Sequence, residues 1–275
     1  MKIHAIQTGT VAVKKSQRDG SRGDGYLRLM ITLSDRNWIE PLPIYAWVIE
    51  HPEGVIVIDT GETARTSQAG YFPWWNPYYR VGSRFYVQPD DEIGPKLRSI
   101  NIPPEEVRWL VMTHLHTDHA GGLHHFPNAA IFVSRPEYEV ATGLTGKLKG
   151  YLPHRWPTWF KPHLVDYQPY GGIFRESFSL TKAGDVQVVP TPGHTAGHQS
   201  VVLQHNEHTF FFAGDTSYSK KNLVDQVVDG VTLDTKTSKK TLELINNYVT
   251  TEQAIYLPSH DPDSPERLSG GNIYG

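Results

Sequence analysis

The sequence predicts an α/β protein in which two β-sheets pack face to face and helices cover their outer sides. Two observations carry this. Short apolar runs rich in Val, Ile and aromatics recur between Gly/Pro punctuation, the pattern of many short strands. Segments with helical apolar spacing lie between them, and strand-rich halves separated by helices bury their faces best as a layered sandwich. Strands fall toward both ends, so the 275 residues are read as one domain spanning 1–275.

In chain order, residues 43–61 (PIYAWVIEHPEGVIVIDTG) read as a hairpin, with HPEG turning between two apolar strands. Residues 108–114 and 129–134 read as buried strands, as do 186–191, 199–204, 208–215 and 253–260. Helices are expected at 91–100, despite a Gly-Pro pair, at 134–148 and at 235–249. The last has apolar residues at helical spacing and a Thr or Ser available as cap.

Composition narrows the function. Lys and Arg number 26 against 29 Asp and Glu, a net charge of −3, which is not the basic footprint of a nucleic-acid binder. Cysteine is absent, so any metal must sit on nitrogen and oxygen. No stretch is apolar enough to span a bilayer, and the N-terminus lacks the apolar core of a signal peptide, so a cytoplasmic protein is expected.

THLHTDHAGG, residues 113–122, crowds His114, His116, Asp118 and His119 into six positions before a pair of glycines. On an extended strand, residues two apart point the same way, and His114 and His116 fit that rule at the end of 108–113. A helical His-Glu-x-x-His zinc site does not fit, because no Glu lies between histidines at i and i+4. Four ligand types in so short a run suit two ions better than one. Further ligand types follow other apolar strands: His194 in TPGHTAGH, Asp215 in FFAGDTSY and His260 in LPSH. An all-N/O set suits Zn²⁺, with Co, Fe or Mn as substitutes. His124, His125, His154, His163, His205 and His208 are read as solvated or hydrogen-bonded, as lone histidines usually are.

The HLHTDH run followed by His194, Asp215 and His260 resembles the metallo-β-lactamase superfamily, from VIVIDTG near residue 55 to LPSHDPD. PGHTAGHQSVVL, FFAGDTSYSKKNL and the terminal PSHDPD are similar to N-acyl-homoserine lactonases. The resemblance implies an αββα sandwich with two mixed sheets. It also implies one ion on His114, His116 and His194, a second on Asp118, His119 and His260, and Asp215 bridging both. Tyr218 matches the tyrosine that reaches the substrate carbonyl, and Asp59 and His198 match residues that support the ligands from behind. Position 117 is Thr where one lactonase subgroup carries a bulky aromatic.

The implied reaction is opening of an acylated lactone ring by a hydroxide shared between two ions, with Asp118 relaying the proton to the leaving alkoxide. The partner is thus a small molecule. The aromatic segments 71–80 and 152–160 are expected to wall the acyl chain or to form a homodimer contact. Rival enzymes share the ligand set: a glyoxalase-II-like thioesterase, a phosphotriesterase or a broader lactonase. The thioesterases carry a helical C-terminal domain, whereas this chain continues only fifteen residues past His260. A purely structural metal protein is the non-enzyme alternative, but structural zinc normally uses one closed four-ligand site.

Overall fold

The apolar runs form strands because each buries one or both faces against a neighbouring layer. In the computed structural model, which describes residues 1–270, these strands assemble into two sheets. The first contains β1 (Lys2–Val13), β2 (Leu42–Glu50), β3 (Val55–Ile58), β4 (Ser83–Tyr86), β5 (Val107–Val111), β6 (Ala130–Ser134) and β7 (His163–Val165), in the order β4-β1-β2-β3-β5-β6-β7. The second contains β8 (Gln168–Pro169), β9 (Glu176–Ser179), β10 (Val186–Pro190), β11 (Gln199–His205), β12 (His208–Gly214) and β13 (Ile255–Pro258), in the order β13-β12-β11-β10-β9-β8. Both are mixed. β1, β2 and β3 pair antiparallel while β3, β5, β6 and β7 run parallel, and β13 pairs parallel with β12 at the edge of an otherwise antiparallel sheet.

Period-two alternation assigns the two faces of each sheet. Trp47, Ile49, Ile58 and Val111 face inward and meet Val188, Val201, Phe212 and Leu257 of the other sheet in one buried cluster. Their neighbours Ala46, Val48, Val57 and Leu110 point outward onto Ile93 and Leu97 of the helix Ile93–Ser99. On the far side, Val202, Phe211 and Tyr256 pack on Leu242, Ile245 and Val249 of the helix Thr235–Thr251. The layers are helix, sheet, sheet, helix, as the sequence predicts.

Several boundaries differ from the sequence reading. The strand expected over 108–114 ends at Val111, so His114 and His116 lie in the following loop and owe nothing to strand alternation. Thr117–Ala120 then forms one helical turn. The helix expected over 134–148 stops at Thr142, where Gly143 intervenes, and resumes as a 3₁₀ turn at Gly146–Lys149. The helix of 91–100 begins at Ile93, after a 3₁₀ turn at Pro89–Asp91. β1 and the helix Gly25–Ser34 were not singled out, because polar residues interrupt β1 and half of that helix face is exposed. Among the described residues, no helix is long and apolar enough to cross a membrane.

The parallel pairs place strand ends side by side, and the loops leaving them form one rim. β3 and β5 stop level with each other at Ile58 and Val111, and the Asp59 N–H donates to the Val111 carbonyl at 2.9 Å. Gln199 at the start of β11 ties the sheets together there, its N–H donating to Thr113 O and its side chain to Met112 O. Gly61 makes the turn after β3 feasible. Its φ is +65°, and a Cβ there would lie 1.8 Å from Thr8 Oγ1. Gly61→Ala should therefore destabilise the fold by about 3 kcal/mol through combined backbone strain and overlap. Urea denaturation measures this, and a loss below about 1 kcal/mol would contradict the close approach.

Candidate metal centre

Five imidazoles and two carboxylates converge on this rim. On it the clusters whose ligand atoms approach one another are His114–His116–His194, His114–His119–Asp215 and Asp118–His119–His260, while a further group, Glu92–His124–His125, shares no residue with them. The structure thus brings together all seven residues that the sequence singles out as ligands. β5, β10, β12 and β13 deliver them, through the loops after Val111, Pro190, Gly214 and Pro258. None of His154, His163, His205 and His208 joins these clusters.

Hydrogen bonds on the far side of each ring decide which nitrogen faces inward. His119 Nδ1–H donates to Asp59 Oδ2 at 2.8 Å and His194 Nδ1–H to Asp229 Oδ2 at 3.1 Å. His260 Nδ1–H donates to the Pro43 carbonyl at 2.8 Å, and His116 Nε2–H to the Lys149 carbonyl at 3.1 Å. Thr113 Oγ1 donates to Asp59 Oδ2, leaving its oxygen to accept from His114 Nδ1–H at 3.1 Å. Every ring therefore turns a bare lone pair toward the others, the arrangement that partners behind metal-ligating histidines impose.

Such an arrangement is repulsive without a cation. His116 Nδ1 stands 3.1 Å from both His114 Nε2 and His194 Nε2, so the three nitrogens turn toward one point. Ligand atoms about 2.0–2.1 Å from a tetrahedral ion stand about 3.3 Å from one another, so this spacing fits one. Asp215 lies between the two halves. Its Oδ1 is 3.2 Å from His119 Nε2 and 3.3 Å from His260 Nε2, while its Oδ2 is 3.7 Å from His194 Nε2. His119 Nε2 and Asp215 Oδ1 are close without hydrogen-bond alignment, and both are buried with no partner. His260 Nε2 also lies 3.5 Å from Asp118 Oδ2. The donor set fits two divalent cations sharing Asp215.

Charge balance agrees. Burial, reinforced by His119 and His116, holds His114 well below the usual imidazole range, and burial beside His194 takes His116 down to about 4. Burial opposes charge on His194 as well, but Asp229 outweighs it and raises this group to about 9. At His119, Asp215 and Asp59 likewise overcome burial. The carboxylates thus favour positive charge at these nitrogens, which a divalent ion supplies in place of protons.

The two residues expected behind the ligands are there. Asp59 adopts φ 59°, a left-handed conformation uncommon for non-Gly residues, and is fully buried while accepting from Thr113 N, Thr113 Oγ1 and His119. His198 accepts the Asp215 N–H on Nε2 at 3.1 Å, which holds the Asp215 loop and removes His198 from the ligand set. Two further residues escaped the sequence reading. Asp229 orients His194 across 35 positions, with no local pattern to mark it. Glu137 accepts from Leu115 N, Thr195 Oγ1 and Gly197 N, joining the 113–119 loop to the 192–198 loop. A signal for its helix start was present, since SRPE at 134–137 has capping-box spacing and Ser134 does cap Glu137 N. His124 and His125, read as solvated or hydrogen-bonded, both pair with Glu92, at 3.1 and 2.7 Å.

A cavity of about 410 Å³ opens above the ligands and includes Asp118, Thr117 and Tyr218 in its wall. Tyr218 lies beside His260 with its ring tilted by 31° and the centroids 5.6 Å apart, and is 8% exposed. Of segment 71–80, Tyr78 and Tyr79 line this cavity, whereas Trp74 and Trp75 point outward with 80% and 41% exposure. Segment 152–160 does not reach it; Leu152 packs on Tyr71 and Tyr79, and Trp156 and Phe160 on Tyr138. Of the two expectations for these segments, cavity wall or homodimer contact, the first is corrected to Tyr78 and Tyr79 alone.

Comparison with known proteins follows the same outline. A family model described as the metallo-beta-lactamase superfamily matches residues 39–260. N-acyl homoserine lactonase AttM of Rhizobium radiobacter is 24% identical, with 96% of this chain and 94% of that one aligned. N-acyl homoserine lactonase AiiA of Bacillus thuringiensis subsp. kurstaki is 29% identical over 80% of this chain and 82% of its own. Among solved structures, an N-acyl homoserine lactone hydrolase with the product N-hexanoyl-L-homoserine at its catalytic metal centre superposes with a TM-score of 0.76 at 21% identity, covering 96% and 95%. The dizinc quorum-quenching lactonase AidC superposes with a TM-score of 0.66 at 15% identity, covering 94% and 87%. At these identities the solved structures speak for the fold.

Removal of a supporting carboxylate should separate the two halves of the centre. Asp229→Asn should weaken the ion expected on His194 by about 10–100-fold and spare the other. Competition with a chromogenic chelator, resolving two binding steps, measures this. Equal weakening of both steps would contradict the assignment.

Proposed function

This chain belongs to the metallo-beta-lactamase superfamily, and we propose that within it the chain is a dinuclear metal hydrolase that opens the lactone ring of N-acyl-homoserine lactones. The observation that carries this reading is the pairing of a seven-ligand rim with a largely apolar cavity that includes a tyrosine beside the ligands. A closed structural zinc site has no such approach for substrate. The relatives named above are lactonases matched over 94% and 82% of their own length, which favours this specificity over the thioesterase and phosphotriesterase alternatives.

We assign His114, His116 and His194 to one ion, Asp118, His119 and His260 to the other, and Asp215 to both. Zn²⁺ is the proposed metal, since all seven ligands are nitrogen or oxygen. When bound, such a pair supplies Lewis acidity, lowering the pKa of a coordinated water and polarising an ester carbonyl.

The chain's own groups complete the reaction. Tyr218 donates its O–H to the lactone carbonyl oxygen as negative charge develops there. Burial, together with Tyr78 and Asp215, raises this hydroxyl well above the usual phenol range, so it keeps its proton at neutral pH. Asp118 lies in the cavity wall, and its side chain is 16% exposed where the leaving group departs. It takes the proton released as water adds to the carbonyl carbon and delivers it to the ring oxygen as the ring C–O bond breaks. The product is an N-acyl-homoserine, whose carboxyl ionises and releases one proton per turnover.

A pH indicator tests this directly. Metal-loaded protein mixed with a series of N-acyl-homoserine lactones should acidify the solution, and prior chelation should abolish the signal. Silence across the series with turnover of thioesters or phosphotriesters would transfer the assignment to those substrates. Asp118→Asn should lower kcat by about 100-fold or more with KM little changed. A large rise in KM at constant kcat would remove Asp118 from the proton path.

A further inference from the structure

Gln17 is a buried amide in the wall of a largely apolar cavity, 1% exposed, and the reaction as described does not use it. Its Nε2 lies 2.7 Å from the Tyr218 hydroxyl and 2.9 Å from the Tyr78 hydroxyl. Its Oε1 is buried with no partner. The direction of these bonds follows from counting. With the amide placed this way, its two N–H groups each meet a phenol oxygen and one carbonyl oxygen stays unpaired. The reverse placement would have the carbonyl accept from both phenols and leave two N–H groups buried without acceptors. Burying two unpaired donors costs more than one unpaired acceptor, so the amide donates to both phenols. Each phenol oxygen then accepts from Gln17, and each phenol O–H is free to donate elsewhere.

We propose that Gln17 is a positioning residue that fixes both phenols as donors into the cavity, Tyr218 toward the reacting ester carbonyl and Tyr78 toward a second carbonyl on the substrate. Both hydroxyls lie within hydrogen-bond distance of the same nitrogen, so they are near neighbours held in one fixed relation. An acylated amino-lactone carries two carbonyl oxygens a few atoms apart, the ring ester and the side-chain amide. The phenol pair matches that chemistry, and a simple lactone without the amide uses only one member of it. Neither phenol readily loses its proton. Burial raises both hydroxyls above the usual phenol range, with Asp118 adding to the effect at Tyr78 and Tyr78 adding to it at Tyr218. This inference rests on the lactone-opening reading for the identity of the second carbonyl, whereas the coupling between Gln17 and Tyr218 applies to any ester this centre cleaves.

The test is a double-mutant cycle. Q17E replaces the donating amide with a carboxylate that accepts from both phenols and draws their O–H groups away from substrate. It should lower kcat by about tenfold or more, toward the value of Y218F, with two metal ions retained. In the presence of Y218F, Q17E should change kcat by less than about twofold, because its route of action is gone. Equal losses with and without Y218F would assign Gln17 a merely structural role and overturn the proposal. Y78F should reduce the preference for an N-acyl-homoserine lactone over unsubstituted γ-butyrolactone by about tenfold, chiefly through KM. Unchanged preference would overturn the second-carbonyl assignment.

If the wild-type protein opens no lactone, the same cycle run on an activated aryl acetate still reads the Gln17–Tyr218 coupling, which separates that outcome from failure of the proposed function. Calorimetric binding of N-hexanoyl-homoserine gives a readout free of turnover. Y78F should weaken it about tenfold, and equal affinity would count against Tyr78.

Discussion

Five imidazole nitrogens face one another at distances that shared positive charge makes tolerable, and two divalent ions would supply it. His114, His116 and His194 meet at 3.1 Å spacings, and His119 and His260 approach Asp215 at 3.2 and 3.3 Å. Uncharged, these rings would repel, and the surrounding loops would have no reason to hold them so. Much of the unusual local structure serves this convergence. The left-handed Asp59, the buried Glu137 and the long reach of Asp229 each tie a ligand or its loop in place.

The fold makes such convergence economical. Parallel pairing sets the ends of β3 and β5 level, and β12 with β13 does the same across the sandwich. Loops from both sheets then meet at one rim while the sheets supply a rigid, fully buried base of Trp47, Phe212 and Leu257. Ligands mounted this way lose little conformational freedom on binding metal. The same geometry leaves a cavity above the ligands, with Tyr78 and Tyr218 in its wall.

The cluster of seven His and Asp side chains was legible in the sequence because metal chemistry restricts residue type and the run 114–119 concentrates it. The layer order was legible as well, since period-two apolar runs have few ways to bury both faces. The supporting residues were not. Asp229 and Gln17 act on His194 and Tyr218 from 35 and 201 positions away, contacts that exist only once the chain is folded. The aromatic segments misled for a related reason. Trp74 and Tyr78 share one run, yet a short turn sends the first to solvent and the second to the cavity, and composition alone does not distinguish them. Strand alternation likewise suggested a rationale for His114 and His116 that the loop after Val111 does not use.

The central claim is that these seven residues hold two ions across one shared carboxylate. Anomalous diffraction at the zinc edge, on crystals of the zinc-loaded protein, tests it most directly. The account predicts two peaks about 3.5–4 Å apart, one on each side of Asp215. A single peak, or a second ion beyond the reach of Asp215, would contradict it.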